Sequence, residues 1–270
     1  MTQQKLIFLD VDGTLTRPGE MLPPPSAVSA IRQARQRGHR VFLCTGRTPA
    51  LLGPLLPLGF DGAVSAAGGY VFCGDQVLFD HPLTETQRDA ILDTLHRHGV
   101  FCTLECLDAT FGDQALPGAA ASPGLLETRR KLGDALGIRP ISEYDGRSVY
   151  KIVFMNRDEG QLREARETLE RDFAFVYQSA SAYGAITGEV INRAFDKGRG
   201  ILRVCAHLGL SPENAYGFGD SLNDLQMIDT VGCGVVMADG AEALKPHADL
   251  ICPPVDQDGL AWAFQHLGLI

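Results

Sequence analysis

Two carboxylates near the N terminus stand where a strand is predicted to end in a tight turn. Asp10 and Asp12 directly follow the apolar segment 6–9 and precede Gly13. Side chains two residues apart at the end of a strand can both reach one ligand at the sheet edge. Acids in this position also serve as turn residues or helix caps, so the pair alone does not indicate an active site.

Three other segments place a polar or charged side chain at a corresponding point. Asp220 and Asp224 follow one apolar, strand-like segment, and Thr45 ends another. Lys197 opens a predicted helix after a long intervening stretch. In an open parallel sheet, ligands bind at the edge formed by the carboxyl ends of the strands. We therefore expect the acids, the hydroxyl and the ammonium to meet at one edge.

Together these side chains fit the hydrolysis of a phosphate monoester. Asp10 is the predicted nucleophile, because a carboxylate can form an acyl phosphate that water later hydrolyses. The carboxylate and the phosphate dianion repel each other, so we expect Mg²⁺ between them, held by Asp10, Asp220 and the Asp12 backbone carbonyl. The Asp12 side chain is then the predicted acid and base. Lys197 and Thr45 are predicted to bind the phosphoryl oxygens.

The segments that carry these residues alternate between strand and helix patterns. A helix capped by Ser26 and stopped by Gly38 is predicted between the first two strands. After the second strand we expect a Pro- and Leu-rich helix, followed by a third strand at 63–66. This β-α-β-α-β order predicts an α/β fold with a parallel sheet covered on both faces.

The pattern changes in the middle of the chain and returns near residue 188. A hairpin is predicted around Gly74-Asp75, and Thr84 with Gln87 is a predicted capping pair for a helix. A Pro-, Gly- and Ala-rich loop is predicted at 116–124, and strands at 100–107, 149–155, 173–178 and 183–187. The middle is thus predicted to be an inserted α+β domain with an antiparallel sheet. The predicted divisions are 1–82 and 188–270 for the core and 83–187 for the insert.

Four motifs of the chain resemble those of the haloacid dehalogenase superfamily, and more narrowly those of its Cof-type phosphatases with a type IIB cap. The motifs are Asp10-Val-Asp-Gly-Thr-Leu, Thr45-Gly-Arg, Lys197-Gly and Gly-Asp220-Ser-Leu-Asn-Asp224. They occur in the family's order and span residues 10–224. The resemblance implies a Rossmann-like α/β core and a sheet-containing cap inserted between the second and third motifs.

The resemblance also implies a role for each motif residue. It places the nucleophile at Asp10 and the acid/base at Asp12. It implies phosphate or substrate contacts at Thr45, Gly46, Arg47, Lys197 and Asn223. It implies a magnesium site at Asp10, Asp12 and Asp220, with Asp224 supporting the metal shell.

Two positions leave alternatives open. Arg47 matches a residue that touches substrate, but it could equally be a surface arginine. Where family members often carry Asn-Gly after the third strand, this chain has Ala67-Gly68. That difference bears on a substrate contact by this side chain and not on the chemistry.

The composition limits the classes of partner. The 270 residues carry 33 acidic and 24 basic side chains, a net charge of −9. Such a chain lacks the positive surface that nucleic acid or an anionic membrane requires, so we expect neither as a partner. Seven widely spaced cysteines are expected to be reduced thiols, with no zinc site, in a cytoplasmic protein. His96 and His98 are expected to be exposed helix residues.

Three functions remain in competition. A phosphatase acting on small phosphorylated metabolites, such as sugar phosphates, explains every motif. A phosphosugar mutase would use the same nucleophile but must hold a bisphosphate and keep water away from the intermediate. A non-catalytic phospho-binding module is disfavoured by Asp12 and by the long insert. The sequence leaves the oligomeric state open.

Overall fold

The structure is a computed structural model that describes residues 4–115, 123–177 and 185–270. The chain divides into two compact units. The first, the core unit, comprises Met1–Arg47, Leu51–Asp80 and Phe195–Ile270. The second, the inserted unit, comprises Thr48–Ala50 and His81–Ala194. The predicted division at 187/188 falls inside the strand Ile186–Asn192. The inserted unit itself continues to Ala194.

The structure contains the following helices and strands, in chain order. Before the insert they are β1 (Leu6–Leu9), α1 (Pro25–Gln36), β2 (Arg40–Cys44), β3 (Gly62–Ser65), β4 (Tyr70–Cys73) and β5 (Gln76–Asp80). The insert holds α2 (Glu85–Arg97), β6 (Phe101–Cys106), β7 (Thr110–Gly112), α3 (Pro123–Leu136), β8 (Arg139–Pro140), β9 (Val149–Asn156), α4 (Glu159–Leu169), β10 (Phe173–Tyr177) and β11 (Ile186–Asn192). After it come α5 (Lys197–Leu208), β12 (Ala215–Gly219), α6 (Leu225–Ile228), β13 (Cys233–Met237), β14 (Leu250–Cys252) and α7 (Gly259–His266).

The core unit is built on one eight-stranded sheet. Its strand order is β14-β13-β12-β1-β2-β3-β4-β5, and the first six of these strands are parallel. The predicted hairpin around Gly74 forms the antiparallel edge, β4 and β5. The predicted parallel α/β sheet is therefore confirmed, with β1 in its interior.

Both faces of this sheet are buried, as its continuous apolar strands require. In β1, Ile7 and Leu9 pack with the apolar sides of α1 and α7, whereas Leu6 and Phe8 pack with α5. Alternate residues of one strand thus serve two hydrophobic cores. This fixes the position of β1 and therefore of the acidic loop that follows it.

The inserted unit contains a six-stranded, mostly antiparallel sheet. Its strand order is β10-β11-β9-β6-β7-β8, with only the short pair β7 and β8 parallel. One face packs on α2 and α4 through a core that includes Leu104, Ile152 and Phe154. The predicted capping pair of α2 is confirmed, because Thr84 Oγ1 accepts the Gln87 N–H (3.2 Å) and Gln87 Oε1 accepts the Thr84 N–H (3.0 Å).

The predicted Pro- and Leu-rich helix after β2 is wrong. Residues Pro49–Leu51 and Leu56–Leu58 form only two short 3₁₀ turns. Prolines at 49, 54 and 57 cannot donate to the backbone ladder, and Gly59 takes a left-handed φ of 94° that ends the second turn. Apolar spacing alone gave no sign of this interruption.

Two other local expectations need correction, and a third lies largely outside the described residues. The Ser26 side chain does not cap α1; its hydroxyl donates to Asp258 Oδ1 at 2.5 Å, and Pro24 occupies the cap position. His96 and His98 are half-buried rather than exposed. His96 Nε2 lies 2.9 Å from Asp113 Oδ2. The loop predicted at 116–124 and the start of the strand predicted at 183–187 fall largely outside the described residues.

All seven cysteines lie in described segments and are free thiols. None of the helices within residues 4–115, 123–177 and 185–270 is long and apolar enough to cross a bilayer.

Candidate active site

Neighbouring strands of the core sheet bring the predicted residues to its carboxyl edge. Asp10 follows β1, and its N–H donates to the Phe218 carbonyl of β12 at 2.9 Å. Thr45 follows β2, and its N–H donates to the Val64 carbonyl of β3 at 2.8 Å. Because β12, β1 and β2 are adjacent, the loop after each strand contributes to the same edge.

Lys197 lies at the centre of a buried group of polar side chains. Its Nζ is 2.6 Å from Asp10 Oδ1 and 2.5 Å from Asp224 Oδ1. Asn223 Oδ1 lies 3.5 Å from the same nitrogen. The side chains of Lys197, Asp10 and Asp224 are almost entirely shielded from solvent. The structure therefore brings together four of the residues singled out in the sequence.

Small residues in α5 allow Lys197 to reach this position. A Cβ on Gly198 would lie 2.5 Å from the Gln226 carbonyl oxygen, and one on Gly200 would lie 2.4 Å from Val64 Cγ1. Both distances are far below van der Waals contact, so α5 packs closely only with glycine at these positions. Asp196 caps the helix by accepting the Arg199 N–H at 2.7 Å.

Three carboxylates lie close enough to share a cation. One oxygen from each of Asp10, Asp220 and Asp224 lies within 4.8 Å of the other two. Asp224 is already occupied, because its Oδ2 accepts the N–H groups of Asp220 (3.0 Å) and Ser221 (3.1 Å) while its Oδ1 binds Lys197. Asp10 and Asp220 are therefore the better candidates to hold a cation, and Asp224 fixes the loop at 220–224 in place.

The buried group holds three carboxylates and one ammonium, and the pKa values of Asp10, Asp220 and Lys197 are raised. Burial, together with the nearby Asp224, raises the pKa of Asp10 well above its ordinary value despite Lys197. Burial and Asp224 also raise the pKa of Asp220 to about 7. Burial alone would lower the pKa of Lys197, but Asp10 and Asp224 outweigh it and raise that pKa, so the lysine stays charged. Buried, hard carboxylate oxygens with surplus negative charge fit a divalent cation such as Mg²⁺.

Asp12 lies apart from this group and pairs with Arg47. Arg47 Nη2 donates to Asp12 Oδ1 at 2.6 Å, and Arg47 Nε donates to Asp12 Oδ2 at 2.9 Å. The Arg47 side chain is 13% exposed and that of Asp12 is 50% exposed. Arg47 is thus not a free surface arginine: its planar fork fixes the carboxylate through two hydrogen bonds.

A strained turn after β3 supports the Thr45-Gly46-Arg47 segment. The Ala66 N–H donates to the Arg47 carbonyl (2.9 Å), and the Ala67 N–H donates to the Thr45 carbonyl (3.0 Å). Ala66 and Ala67 both have left-handed φ values, 49° and 56°. Such values cost an alanine about 1 to 2 kcal/mol each. Ala67, where the chain differs from the family's pattern, therefore contacts the Thr45-Gly-Arg motif through its backbone.

Sequence reasoning overlooked Thr14 and Ser221 as contributors to the site. Thr14 is buried, and its hydroxyl donates to Asp220 Oδ1 at 3.1 Å. Ser221 donates its hydroxyl to Asn223 Oδ1 at 2.8 Å. Both residues lie inside the motifs, and hydroxyls beside predicted ligands were the signal that could have indicated them.

Comparisons with known sequences and known structures agree on one protein family. The haloacid dehalogenase-like hydrolase family matches residues 7–264. YkrA of Bacillus subtilis (strain 168), whose name assigns it provisionally to the phosphatases, is 32% identical over 98% of each chain. YwtE of the same organism, named as a 5-amino-6-(5-phospho-D-ribitylamino)uracil phosphatase, is 26% identical over 97% of this chain and 98% of its own.

The fold also matches a solved structure. BT4131, described as a sugar phosphatase of haloacid dehalogenase subclass IIB, has a TM-score of 0.81 at 24% identity, covering 99% of this chain and 100% of its own. This likeness confirms the predicted fold, a parallel core sheet with a second, mostly antiparallel sheet. The predicted class of enzyme, a phosphatase, is likewise confirmed. The chain belongs to the haloacid dehalogenase-like hydrolase family.

Proposed function

We propose that the chain hydrolyses phosphate monoesters of small metabolites in a Mg²⁺-dependent reaction, with an aspartyl-phosphate intermediate on Asp10. The observation that supports this most strongly is the buried Asp10 carboxylate, with Lys197 Nζ at 2.6 Å and the acids Asp220 and Asp224 beside it. A cation held there by Asp10, Asp220 and the Asp12 carbonyl would neutralise charge between nucleophile and phosphate.

The chain's own residues carry the remaining steps. An Asp10 carboxylate oxygen attacks phosphorus, the ester P–O bond breaks, and the leaving oxygen takes a proton from Asp12. Water then attacks the acyl phosphate and gives its proton to Asp12, which releases inorganic phosphate and restores both acids. Lys197, Thr45 and Asn223 stabilise the phosphoryl oxygens by charge and hydrogen bonds.

Sugar phosphates and similar esters are the proposed substrate class. The relative YwtE is named for an ester on a ribityl chain, a polyhydroxylated leaving group. We further propose that the inserted unit acts as a cap that shields the acyl phosphate during turnover, as mobile lids do in other enzymes. Its position in the chain, between the second and third motifs, supports this role.

The test is phosphate release by purified protein from a panel of phosphorylated metabolites, with Mg²⁺ or with EDTA. Asp10→Asn removes the nucleophilic charge while keeping the side-chain shape, and we expect it to abolish release. Asn214→Asp makes the reverse exchange, amide to carboxylate, at a position far from the motifs. It is the control and should retain activity.

The products separate the competing functions. Free phosphate that requires both metal and Asp10 supports hydrolysis. An isomerised sugar phosphate without free phosphate would indicate a mutase. Phosphate release that persists in Asp10→Asn would contradict the proposed intermediate.

A further inference from the structure

Three side chains of the inserted unit place a nitrogen, a sulfur and a carboxylate oxygen next to one another. His96 lies in the last turn of α2, Cys102 in β6, and Asp113 directly after β7. One ligand atom from each of the three lies within 4.8 Å of the other two. All three residues belong to the inserted unit, so this group is separate from the candidate active site in the core unit.

The pairing of β6 with β7 brings Cys102 and Asp113 to the same face of the sheet. Thr103 is opposite Gly112 in this antiparallel pair. The next two residues are also opposed, because the Asp113 N–H donates to the Cys102 carbonyl at 3.0 Å. Directly opposed residues point to the same side of a sheet. This side packs on α2, since Cys102 shares a hydrophobic core with Leu95.

The Asp113 carboxylate is fixed in position and buried, with 3% of its side chain exposed. Its Oδ2 accepts the Cys102 N–H at 2.6 Å and lies 2.9 Å from His96 Nε2. The His96 side chain is 32% exposed, so solvent reaches the group at the imidazole. A small ion can therefore enter from this side and keep a water molecule.

These donor atoms differ in chemistry from those of the candidate active site. The described parts of the chain hold two groups of three such ligand atoms, and the other group consists of the carboxylates Asp10, Asp220 and Asp224. Carboxylate oxygens suit Mg²⁺, whereas a set that includes thiolate sulfur and imidazole nitrogen suits Zn²⁺. A thiolate, a carboxylate and a neutral imidazole carry a net charge of −2, which one divalent cation neutralises.

We propose that the inserted unit binds Zn²⁺ through His96 Nε2, the Cys102 thiolate and the Asp113 carboxylate, with water in the fourth position. Binding releases the proton of the Cys102 thiol, because only the thiolate coordinates the metal. The inference goes beyond the proposed phosphatase function and does not rest on it. The sequence gave no sign of this site, because a set with a single cysteine lacks the paired spacing typical of zinc motifs.

The ion would join the last turn of α2 to the ends of two strands. Because it would bind the folded state, Zn²⁺ should stabilise the protein by mass action. This contribution is measured as a rise of the thermal unfolding midpoint on addition of Zn²⁺, in the presence of Mg²⁺.

The test uses Co²⁺ as a spectroscopic substitute for Zn²⁺ in the full chain. Purified protein is stripped with EDTA, dialysed, and titrated with Co²⁺ under a thiol-free reductant and excess Mg²⁺, which competes for the carboxylates of the core. A Co²⁺–thiolate bond gives a charge-transfer band in the near ultraviolet that carboxylate ligands do not give. We expect this band to appear in the wild type and to disappear when Zn²⁺ displaces Co²⁺.

Two pairs of variants assign the ligands. Cys102→Ala should abolish the band, whereas Cys106→Ala, a buried cysteine of the same strand and the same hydrophobic core, is the matched control and should keep it. His96→Asn should weaken Co²⁺ binding by more than the ~10- to 100-fold that loss of an outer-shell partner costs. His98→Asn changes the half-buried histidine that follows α2 and should bind as the wild type does.

The outcomes are decisive in both directions. Absence of the band in the wild type, its persistence in Cys102→Ala, or its equal loss in Cys106→Ala would overturn the proposal. A rise of the unfolding midpoint with Zn²⁺ that is lost in Cys102→Ala would support it. If Cys102→Ala failed to fold, the wild-type band and its change in His96→Asn would still decide.

Discussion

At the scale of single residues, the site consists of three carboxylates around the ammonium group of Lys197. Asp10 and Asp224 both contact Lys197, and Asp220 lies beside them with a pKa of about 7. Three carboxylates thus face one lysine, and a cation would relieve this imbalance. The residues that orient these groups should therefore also affect metal affinity.

Thr14 provides the first prediction at this scale. Its hydroxyl donates to Asp220, so Thr14→Val should leave the ligand poorly oriented and weaken Mg²⁺ binding by about 10- to 100-fold. Thr16 is a buried threonine of the same loop, but its hydroxyl donates to the Val11 carbonyl. Thr16→Val is therefore the control. Calorimetric titration measures both affinities, and equal losses would contradict a specific role for Thr14.

Arg47 provides the second prediction. Lysine cannot reproduce its two-pronged contact with Asp12, so Arg47→Lys should lower kcat by about 100-fold if Asp12 transfers the proton. KM should change much less. Arg35 makes the same type of contact with Asp61, at 3.1 Å for each bond, away from the motifs. Steady-state kinetics should show Arg35→Lys close to wild type; similar rates for both variants would argue against positioning by Arg47.

At the scale of elements, the loop after β1 determines how closely the acids approach. Gly13 has a φ of 92°, and a Cβ on it would lie 2.5 Å from Asp220 Oδ2. The turn therefore needs glycine for two reasons: a left-handed backbone and space for a carboxylate from another loop. The strand alone could not bring Asp220 to this position.

A pair of glycines separates these two reasons. Gly19 also has a left-handed φ, 82°, but a Cβ there would meet no atom within 4 Å. Gly19→Ala should lower the free energy of unfolding by about 1 to 2 kcal/mol, and Gly13→Ala by at least as much, because its Cβ would also meet Asp220. Only Gly13→Ala should also weaken Mg²⁺ binding and phosphate release. Denaturant unfolding and activity assays measure both effects, and a fully active Gly13→Ala enzyme would show that the close approach is unimportant.

The stability of the core should also depend on pH through His39. Burial lowers the pKa of His39, and the Lys5 N–H donates to its Nδ1 at 3.2 Å, which requires the neutral ring. A lowered folded pKa means that the unfolded chain takes up a proton first as the pH falls. Stability should therefore decrease as the pH falls through about 6.5, the ordinary histidine pKa. His39→Gln should reduce this acid sensitivity, measured by urea unfolding between pH 7.5 and 5.5; an unchanged profile would exclude His39 as its source.

At the scale of the whole molecule, the candidate metal site lies entirely within the core unit, although its residues come from both sides of the insert. A cation that joins Asp10 and Asp220 would connect chain segments more than 200 residues apart. Binding to the folded state alone stabilises that state by mass action.

The single tryptophan allows this effect to be measured in the core unit. Trp262 lies in α7, so its fluorescence reports unfolding of the core, whereas circular dichroism reports both units. At 100 times its dissociation constant, Mg²⁺ should raise the free energy of unfolding at Trp262 by about 2.7 kcal/mol. Asp220→Asn should lose most of this gain. K⁺ at equal ionic strength is the control, and no Mg²⁺-specific shift would contradict a metal site in the core.

The sequence by itself determined the α/β core with its parallel sheet, the second, mostly antiparallel sheet and the phosphatase class, and it predicted the residues that would do the chemistry. It did so because strand periodicity and the ligand-binding edge of a parallel sheet are local and topological properties. Asp10, Asp224, Asn223 and Lys197 come together as the motifs predicted. The helix expected after β2 does not form, because its prolines cannot donate backbone hydrogen bonds. The spacing of apolar residues carries no information about these missing bonds.

Only the tertiary structure decided which polar groups pair. The sequence left Arg47 open as a surface residue, whereas in the structure its Nη2 lies 2.6 Å from Asp12 Oδ1. The partner of the Thr14 hydroxyl is Asp220, which the fold brings beside it from the end of β12. The same holds for Lys151 between two glutamates, which depends on the register of three strands. Such pairs join residues tens to hundreds of positions apart, and their contacts exist only once the sheets bring those positions together.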